Sequence, residues 1–248
     1  MKTILKTILA FTVAAMLAWC VWTLVAFQIV IKTDGNLPTL VAGDRVLVNR
    51  VAYGWKRPLN ALFGKMDTCC VLPDKGHLMA FHNPLEATAP ANSGNLCIGE
   101  CAALPGDTVW LPWKSPFDTT ATRASLHPFV VPGKNITIDI QPWNIALLSN
   151  ALHTHEHANI CYESDSLLNV NGKPTHLLTF SKDYIWVGNP AKPTDFDSMT
   201  FGFLPCNLLV GKLICTTYSV ESDKPFFHNL RLNRFLTSVE KLQKDSKK

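Results

Sequence analysis

Residues 32–53 read KTDGNLPTLVAGDRVLVNRVAY, and this stretch decides the fold. The stretch follows a long apolar run. Its first part contains four turn-forming residues, Asp34, Gly35, Asn36 and Pro38. Residues 44–51 then alternate between apolar and polar side chains, which is typical of a half-buried strand. The sequence therefore predicts that the chain leaves a membrane, turns and enters a sheet. Turns held by a rigid scaffold often carry binding and catalytic residues.

The apolar run before this stretch predicts a membrane anchor over residues 8–31. About 24 residues at ~1.5 Å per residue in a helix are enough to cross the ~30 Å hydrocarbon core of a bilayer. A cleaved signal peptide would have a shorter apolar centre, and a lipoprotein signal ending at Cys20 would not have the bulky Trp19 before it. Lys2 and Lys6 in the short segment 1–7 predict a cytoplasmic start, with the rest of the chain exported.

Composition excludes some classes of function. The formal net charge of +4 is small and is dispersed over 248 residues, which argues against a nucleic-acid-binding surface. The 8 cysteines have spacings that fit no zinc motif. If the body is exported, one or two disulfides are plausible. Buried free thiols are the alternative, and the sequence leaves both open.

The rest of the chain alternates short strand-like segments with turn signals, which predicts an all-β body. Strand character is found in six segments, 77–81, 96–104, 108–111, 136–140, 177–187 and 203–218. Asn171-Gly172 predicts a hairpin turn, residues 144–152 a short helix, and the charged tail 221–248 a terminal helix. The aromatic residues Trp110, Trp113 and Phe117 fit either a core or a membrane interface.

The pattern also predicts a division of the body. Residues 113–178 are the least regular part and are interpreted as an inserted subdomain. They would lie between two parts of a core, 32–112 and 179–220. The charged tail 221–248 would follow as a separate segment.

Five short motifs occur in order along the chain: PTL at 38–40, GDRVLVNRVAYG at 43–54, DKGHLMAFHNP at 74–84, LPGDTV at 104–109 and NGK at 171–173. With these motifs the chain resembles the bacterial signal peptidase I family, membrane-anchored serine endopeptidases that remove signal peptides from exported proteins. The resemblance covers nearly the whole chain. It implies a mainly β fold: a signal peptidase I-like antiparallel β-sheet body with an inserted β-rich subdomain, plus one N-terminal transmembrane helix.

The resemblance also places the family's catalytic pair, and both positions are glycine here. The nucleophilic serine stands three residues before the proline of PTL, which is Gly35, and the lysine general base stands eight residues before the aspartate of LPGD, which is Gly99. A serine hydroxyl is a weak nucleophile until a base takes its proton, and a lysine is such a base only when burial lowers its pKa. The resemblance therefore predicts a degenerate family member without peptidase activity.

Other family positions are kept only in part. Thr33 falls where the family has a hydroxyl that helps to hold the oxyanion, and Asp107 belongs to the intact LPGD motif. The family's last box survives as Gly188, Asp197-Ser198 and Gly202-Phe203, whereas four of its positions are replaced, by Asn189, Pro190, Ala191 and Met199. In the family this box braces the lysine, so its erosion agrees with the loss of the lysine.

A relocated nucleophile is the alternative within the enzyme class, and it would make the protein an active signal peptidase. The candidate nucleophiles are Thr33, Thr39, Cys97 and Cys101. A thiol would need His77 or His82 as its base, and Glu100 is a carboxylate beside the former lysine position. A third hypothesis is a structural subunit of an envelope assembly.

A histidine-rich stretch raises the question of a metal. His153, His155 and His157 would share one face of a strand, and His153 and His157 would share one face of a helix. Either arrangement suits zinc. The simpler interpretation is a polar surface loop of the inserted subdomain, so we expect no metal and no other cofactor.

Together these observations predict a single-pass protein of the inner (plasma) membrane with its body on the exported, periplasmic side. The expected function is in protein export, without catalysis. The expected partners are the membrane and either signal-peptide-like segments of preproteins or an active signal peptidase. No nucleic acid is expected among them.

Overall fold

The computed structural model describes residues 2–31, 39–54, 71–86, 96–114, 124–188, 196–221 and 230–246. The chain is divided into two compact units. The terminal unit is Met1–Val71 with Val210–Lys248, and the central unit is Leu72–Leu209. The described residues form a mainly β structure whose named strands pair antiparallel.

Four α-helices lie in the described part of the chain: α1 Lys2–Val25, α2 Ile145–Glu156, α3 Ser198–Phe201 and α4 Val239–Ser246. Helix α2 ends because His157 takes a left-handed conformation with φ of 55° and donates its backbone N–H to Leu152 O. Helix α3 begins where the Asp197 carboxylate accepts a hydrogen bond from the backbone N–H of Met199. Three short 3₁₀ segments are Pro84–Glu86, Cys206–Leu208 and Leu232–Arg234.

The strands are short, as the turn signals predict. In chain order they are β1 Ala26–Val30, β2 Asp44–Asn49, β3 Leu78–His82, β4 Leu96–Ala103, β5 Thr108–Trp113, β6 Ser125–Val130, β7 Thr137–Asp139, β8 Ile160–Ser164, β9 Leu167–Val170, β10 Lys173–Thr175, β11 Leu177–Thr179, β12 Tyr184–Val187, β13 Leu204–Pro205, β14 Leu209–Ser219 and β15 Thr237–Ser238.

In the terminal unit, β1, β2, β14 and β15 pair in that order. The predicted alternation in β2 is confirmed, because Val46 and Val48 are fully buried while Arg45 and Asn49 are only half-buried. The Arg50 guanidinium lies 4.4 Å from the ring centroid of Phe27, which ties the end of β2 to β1 through a cation–π contact.

In the central unit, β3, β4, β12 and β13 form one antiparallel sheet. The central unit also contains the hairpin β5–β6, the three-stranded antiparallel sheet β8–β9–β10 and the antiparallel pair β7–β11. A hydrophobic core is built from these strands and α2, with Leu148, Leu168, Tyr184 and Trp186 among its fully buried members. Burial of such large side chains contributes roughly 1.5–3 kcal/mol each.

The anchor prediction is corrected at its end. Helix α1 stops at Val25, and Ala26–Val30 form a strand that pairs with β2. Residues 26–31 were predicted as helix because a continuous apolar run does not distinguish a helix from a buried strand. Across the residues described here, no helix meets the length and hydropathy criterion for crossing a membrane. The membrane anchor therefore stays a prediction.

Several local predictions are confirmed. The hairpin at Asn171-Gly172 joins β9 to β10 with φ of 52° and 85°, the pair of positive values that a type I′ turn needs. The predicted helix at 144–152 is α2, four residues longer at its end. The predicted strand segment 203–218 is interrupted at Cys206–Leu208, where a 3₁₀ segment separates β13 from β14. The proposed domain limits at 113 and 178 stay predictions.

Candidate functional site

Gly99, the predicted general-base position, is buried in β4 between β3 and β12. A Cβ atom added to Gly99 would lie 2.1 Å from Cγ1 of Val187 and 3.2 Å from Cε1 of Phe81. Side-chain carbons do not approach other atoms as closely as 2.1 Å, so the packed structure leaves no room for a side chain at this position. A valine on the neighbouring strand occupies the space that a lysine side chain would enter first.

Val187 is held in place by the remnant of the family's last box. Its backbone N–H donates a 2.8 Å hydrogen bond to Ser198 Oγ, and Ser198 is fully buried. The next residue, Gly188, has φ of +92°, and a Cβ there would lie 2.7 Å from Asp197 Cβ. Asp197 in turn caps α3 through Met199 N–H at 2.9 Å. The remnant therefore fixes the end of β12 against α3.

Asp107 organises the turn of the LPGD motif. Its Oδ2 accepts a 2.6 Å hydrogen bond from Leu104 N–H and lies 2.8 Å from Lys75 Nζ. Partial burial by itself raises the pKa of Asp107, but the hydrogen bonds and the charge of Lys75 outweigh it and hold the pKa below its usual value. Gly106 has φ of +86°, as the tight turn requires. These contacts give Asp107 a structural role.

The segment that follows the predicted nucleophile position is held by the chain terminus. Asp44 is completely buried and accepts two hydrogen bonds from the Arg234 guanidinium, at 3.0 Å on Oδ1 and 2.6 Å on Oδ2. Arg234 also donates to Thr39 O at 2.7 Å, and Arg231 donates to Ala42 O at 3.0 Å. Residues 39–44 are therefore fixed by side chains from the far end of the chain.

Two predicted site residues, Thr33 and Gly35, lie outside the described residues. The predicted approach of Gly35 to Gly99 therefore stays a prediction. The geometry described here concerns the surroundings of Gly99, Asp107, Asp197 and Ser198, and separately the segment 39–44.

One of the two thiol candidates, Cys101, is poorly placed for nucleophilic attack. Cys101 is fully buried, and its pKa is raised to about 12, mainly by burial and then by the negative charge of Asp107. A thiol with so high a pKa is almost entirely protonated at neutral pH and is a weak nucleophile. Cys97 pairs across the sheet with the apolar Phe81. His77 is engaged with Asp74, whose backbone N–H donates to Nδ1 at 3.2 Å.

Five cysteines whose side chains the structure describes are not in disulfides: Cys97, Cys101, Cys161, Cys206 and Cys215. Thr39, the other described candidate nucleophile, is buried with 6% of its surface exposed.

The histidine-rich stretch is helical, so the surface-loop interpretation is wrong. His155 is buried on α2, whereas His153 and His157 are exposed. Burial, helped by the charges of Lys182 and His157, lowers the pKa of His155 to about 4. Lys182 Nζ donates to His155 O, and Glu156 Oε1 accepts from Ser181 N–H at 2.9 Å and from the Tyr184 hydroxyl at 3.3 Å. The contacts of His155 and Glu156 therefore hold the end of α2 against residues 181–184.

No metal centre is formed by the residues that the structure describes, since no group of three or more His, Cys, Asp or Glu side chains is placed to hold one. The three histidines do not converge, because the helix directs His155 into the protein.

Sequence reasoning missed Val187 as the residue beside Gly99. Val187 directly precedes Gly188, a glycine of the family's last box. This neighbourhood was the signal that Val187 lies near the predicted lysine position. The identity of the residue that fills the space could only come from the packing of β12 on β4.

The described residues form a mainly β structure with a glycine at the position that motif spacing assigns to a general base. Residues 4–115 match the family model described as signal peptidase, peptidase S26. No curated protein matches the chain.

Proposed function

We propose that this protein is a member of the signal peptidase family that does not cleave peptides. We propose that it acts in protein export by holding signal-peptide-like segments or by partnering an active signal peptidase. The observation that carries the proposal is the contact of Val187 with Gly99, where a Cβ would lie 2.1 Å from Cγ1. Residue 99 therefore has no side chain, and the space beside it is filled by Val187. This is the outcome expected after the lysine has lost its role.

The chemistry supports the same conclusion. Peptide-bond hydrolysis by this family's mechanism needs a hydroxyl nucleophile and an amine that takes its proton. The sequence has glycine at both positions. Among the described replacements, Cys101 is buried with a raised pKa, so it does not supply an activated thiolate.

Binding without cleavage remains chemically available. The family binds its substrate as an extended strand beside a sheet, and main-chain hydrogen bonds carry much of the affinity in this mode. Such binding needs a sheet edge and side-chain pockets, and it does not need the catalytic pair. A non-cleaving member can therefore retain a preprotein segment or offer the same surface to a related peptidase.

The test is a paired binding and cleavage assay on the purified full-length chain. A fluorescent peptide with an apolar segment followed by Ala-x-Ala is offered, binding is followed by anisotropy and cleavage by mass spectrometry. We expect saturable binding and no cleaved product. A peptide of the same composition with a charged centre is the control and should bind at least about tenfold more weakly.

Cleavage by the pure protein would overturn the proposal, and inhibitors would then identify the nucleophile. Loss of cleavage with iodoacetamide would indicate a cysteine, and loss in Thr33→Ala would indicate Thr33. Absence of both binding and cleavage, with co-purification of an envelope complex, would favour the structural-subunit hypothesis.

A reactivated variant tests the packing argument directly. The double substitution Gly35→Ser with Gly99→Lys should stay inactive because Val187 blocks the lysine. Adding Val187→Ala leaves only its Cβ, 3.7 Å from the new Cβ, which is an ordinary contact. Cleavage in the triple variant but not in the double variant is the result that the packing predicts.

We also propose that the protein is anchored in the inner (plasma) membrane by its N-terminal helix, with the body on the periplasmic side. The support is the match of residues 4–115 to the signal peptidase family model and the apolar sequence of residues 8–31. The test is extraction of membranes with alkaline carbonate, followed by protease treatment of spheroplasts. The protein should stay in the pellet and its body should be digested from outside. Release by carbonate would contradict the anchor.

A further inference from the structure

A cavity of about 350 Å³ opens in the central unit between the β5–β6 hairpin, α2 and α3. Five aromatic residues line it: Trp113, Phe129, Trp143, Trp186 and Phe201. None of the described residues that line it is charged. A concave, largely apolar surface with a few polar groups is the usual character of a small-molecule site, and this volume lies at the small end of the ~300–1,000 Å³ range.

One wall of the cavity is fixed in advance by rings that pack against each other. The His127 imidazole lies between Trp113, at 5.3 Å between ring centroids, and Trp143, at 4.8 Å. Ser125 Oγ is 2.7 Å from His127 Nε2, which fixes the imidazole, and Trp143 Nε1 donates to Pro128 O at 3.1 Å. A ligand would therefore meet indole rings that are already oriented, which reduces the entropy lost on binding.

The opposite wall is α3, the same short helix that holds Val187. Its orientation is fixed by the Asp197 cap and by Ser198 Oγ at β12. Met199, which stands where the family usually has arginine, lines the cavity and is 44% exposed. The replacement removes a positive charge from the entrance.

The polar groups of the wall lie near solvent. Asn150 and Thr200 both line the cavity and both are exposed, so their amide and hydroxyl stand at the rim. A ligand that places its ring inside and one hydrogen-bonding group at the rim would satisfy both parts of the wall. A ligand with a net charge would lose hydration without finding a counter-ion.

We propose that this cavity is a binding site for a small, uncharged aromatic compound, or aromatic group of a larger molecule, that carries one hydroxyl or amide at its outer end. This proposal does not depend on the function proposed above, because the cavity is built from residues outside the catalytic positions. It assigns a role to the eroded last box, whose helix now forms a wall of the site.

The test uses two brominated probes of equal size, neutral 4-bromobenzyl alcohol and anionic 4-bromobenzoate, titrated into the full-length chain. Bromine quenches tryptophan emission at close range, and 3 of the 7 tryptophans line the cavity. Measurements are made at one fixed concentration of non-ionic detergent, so partitioning into micelles is the same throughout. We expect saturable quenching by the alcohol, and an affinity at least about tenfold lower for the benzoate.

Two variants locate the site. Ala146→Phe places a ring at the cavity mouth and should weaken binding of the alcohol by about tenfold or more. The matched control is His153→Phe, which adds a ring at an exposed position of the same helix outside the lining and should stay within about twofold of wild type.

A variant that introduces a positive charge keeps the proposal falsifiable if Ala146→Phe does not fold. Met199→Arg restores the family's cation at the rim, so it should weaken binding of the alcohol and strengthen binding of the benzoate. Quenching that stays linear with probe concentration, or that is equal in wild type, Ala146→Phe and Met199→Arg, would show non-specific partitioning and would overturn the proposal.

Discussion

Ser198 Oγ accepts a 2.8 Å hydrogen bond from the backbone N–H of Val187, and this contact links the family's last box to position 99. In active family members the box braces the lysine. Here Ser198 holds Val187, whose Cγ1 lies where a side chain at Gly99 would begin.

The first prediction concerns the packing of Gly99 against Val187. Gly99→Ala should lower the free energy of unfolding by about 1–3 kcal/mol, because the new methyl overpacks the contact with Cγ1. In a Val187→Ala background the same change should cost less, since the remaining Cβ would lie 3.7 Å from the new methyl. Denaturant unfolding of the four proteins gives the coupling energy. An equal cost in both backgrounds would contradict the described contact.

The second prediction concerns Asp107 and acid stability. Because its folded pKa is lowered, Asp107 contributes stability that is present above the ordinary carboxyl pKa and is lost as pH falls through the folded value. Asp107→Asn keeps an acceptor for Leu104 N–H but loses the charge that pairs with Lys75. It should therefore be less stable than wild type at pH 7, by about 1 kcal/mol or less for a pair this exposed.

Thermal unfolding from pH 7 to pH 2 checks this, and the stability curves of wild type and Asp107→Asn should converge at the acid end. Lys75→Met is the companion variant and should also reduce the difference between pH 7 and pH 2. Curves that stay parallel over the whole range would show that the carboxylate charge has no part in folding.

The third prediction concerns His155 between pH 4 and pH 6.5. The pKa of His155 is about 4 in the folded chain, whereas that of an unfolded imidazole is ~6.5. The unfolded chain therefore binds more protons in this window. Stability should therefore fall as pH drops from 6.5 towards 4, by about 3 kcal/mol at most. His155→Leu should remove this slope, whereas His153→Leu, at an exposed position of the same helix, should keep it.

Denaturant midpoints at pH 7, 5.5 and 4 are sufficient for the His155 measurement. The neighbouring charged groups are Lys182, His157 and Glu156. A slope that survives unchanged in His155→Leu would show that burial of the His155 imidazole is not its cause.

The fourth prediction concerns the buried ion pair of Asp44 and Arg234. Arg234→Ala leaves a completely buried carboxylate without its guanidinium, so the free energy of unfolding should fall by about 3–5 kcal/mol. The control is the more exposed pair of Lys212 and Glu240, at 3.2 Å, where Glu240→Ala should cost about 1 kcal/mol or less. Similar costs for the two variants would show that Asp44 is hydrated in solution.

Local signals in the sequence were sufficient for part of the fold. The Asn171-Gly172 turn needs two residues with positive φ, and asparagine and glycine provide them. The alternation in β2 and the helical segment before His157 were likewise properties of consecutive residues. In each case the information lies within about one turn or one strand.

The anchor boundary and the histidine stretch show where local signals end. Ala26–Val30 is as apolar as the helix before it, and only pairing with β2 makes it a strand. His153, His155 and His157 fit a strand or a helix equally well by spacing, and the packing of α2 on the core decided between them. The space beside Gly99 likewise depends on a residue from a strand far along the chain.

The assignment of the degenerate site positions stays a prediction from motif spacing, and the residue packed beside Gly99 had no signal of this kind. Motif spacing located Gly99, Asp107 and Asp197-Ser198. It carried no information on the aromatic cavity beside α3, because Trp113, Trp143 and Trp186 come from separate segments that only the folded chain brings to one wall.

The hydrogen bonds from Arg231 and Arg234 to residues 39–44 have a practical consequence for handling the protein. By composition the last residues look like a disposable charged extension, and trimming them would be a natural step towards crystals. Their guanidinium groups, however, supply hydrogen bonds to Thr39, Ala42 and Asp44 near the opposite end of the chain. Affinity tags and truncations are therefore better placed after residue 246, because removal of Arg231 and Arg234 would release residues 39–44.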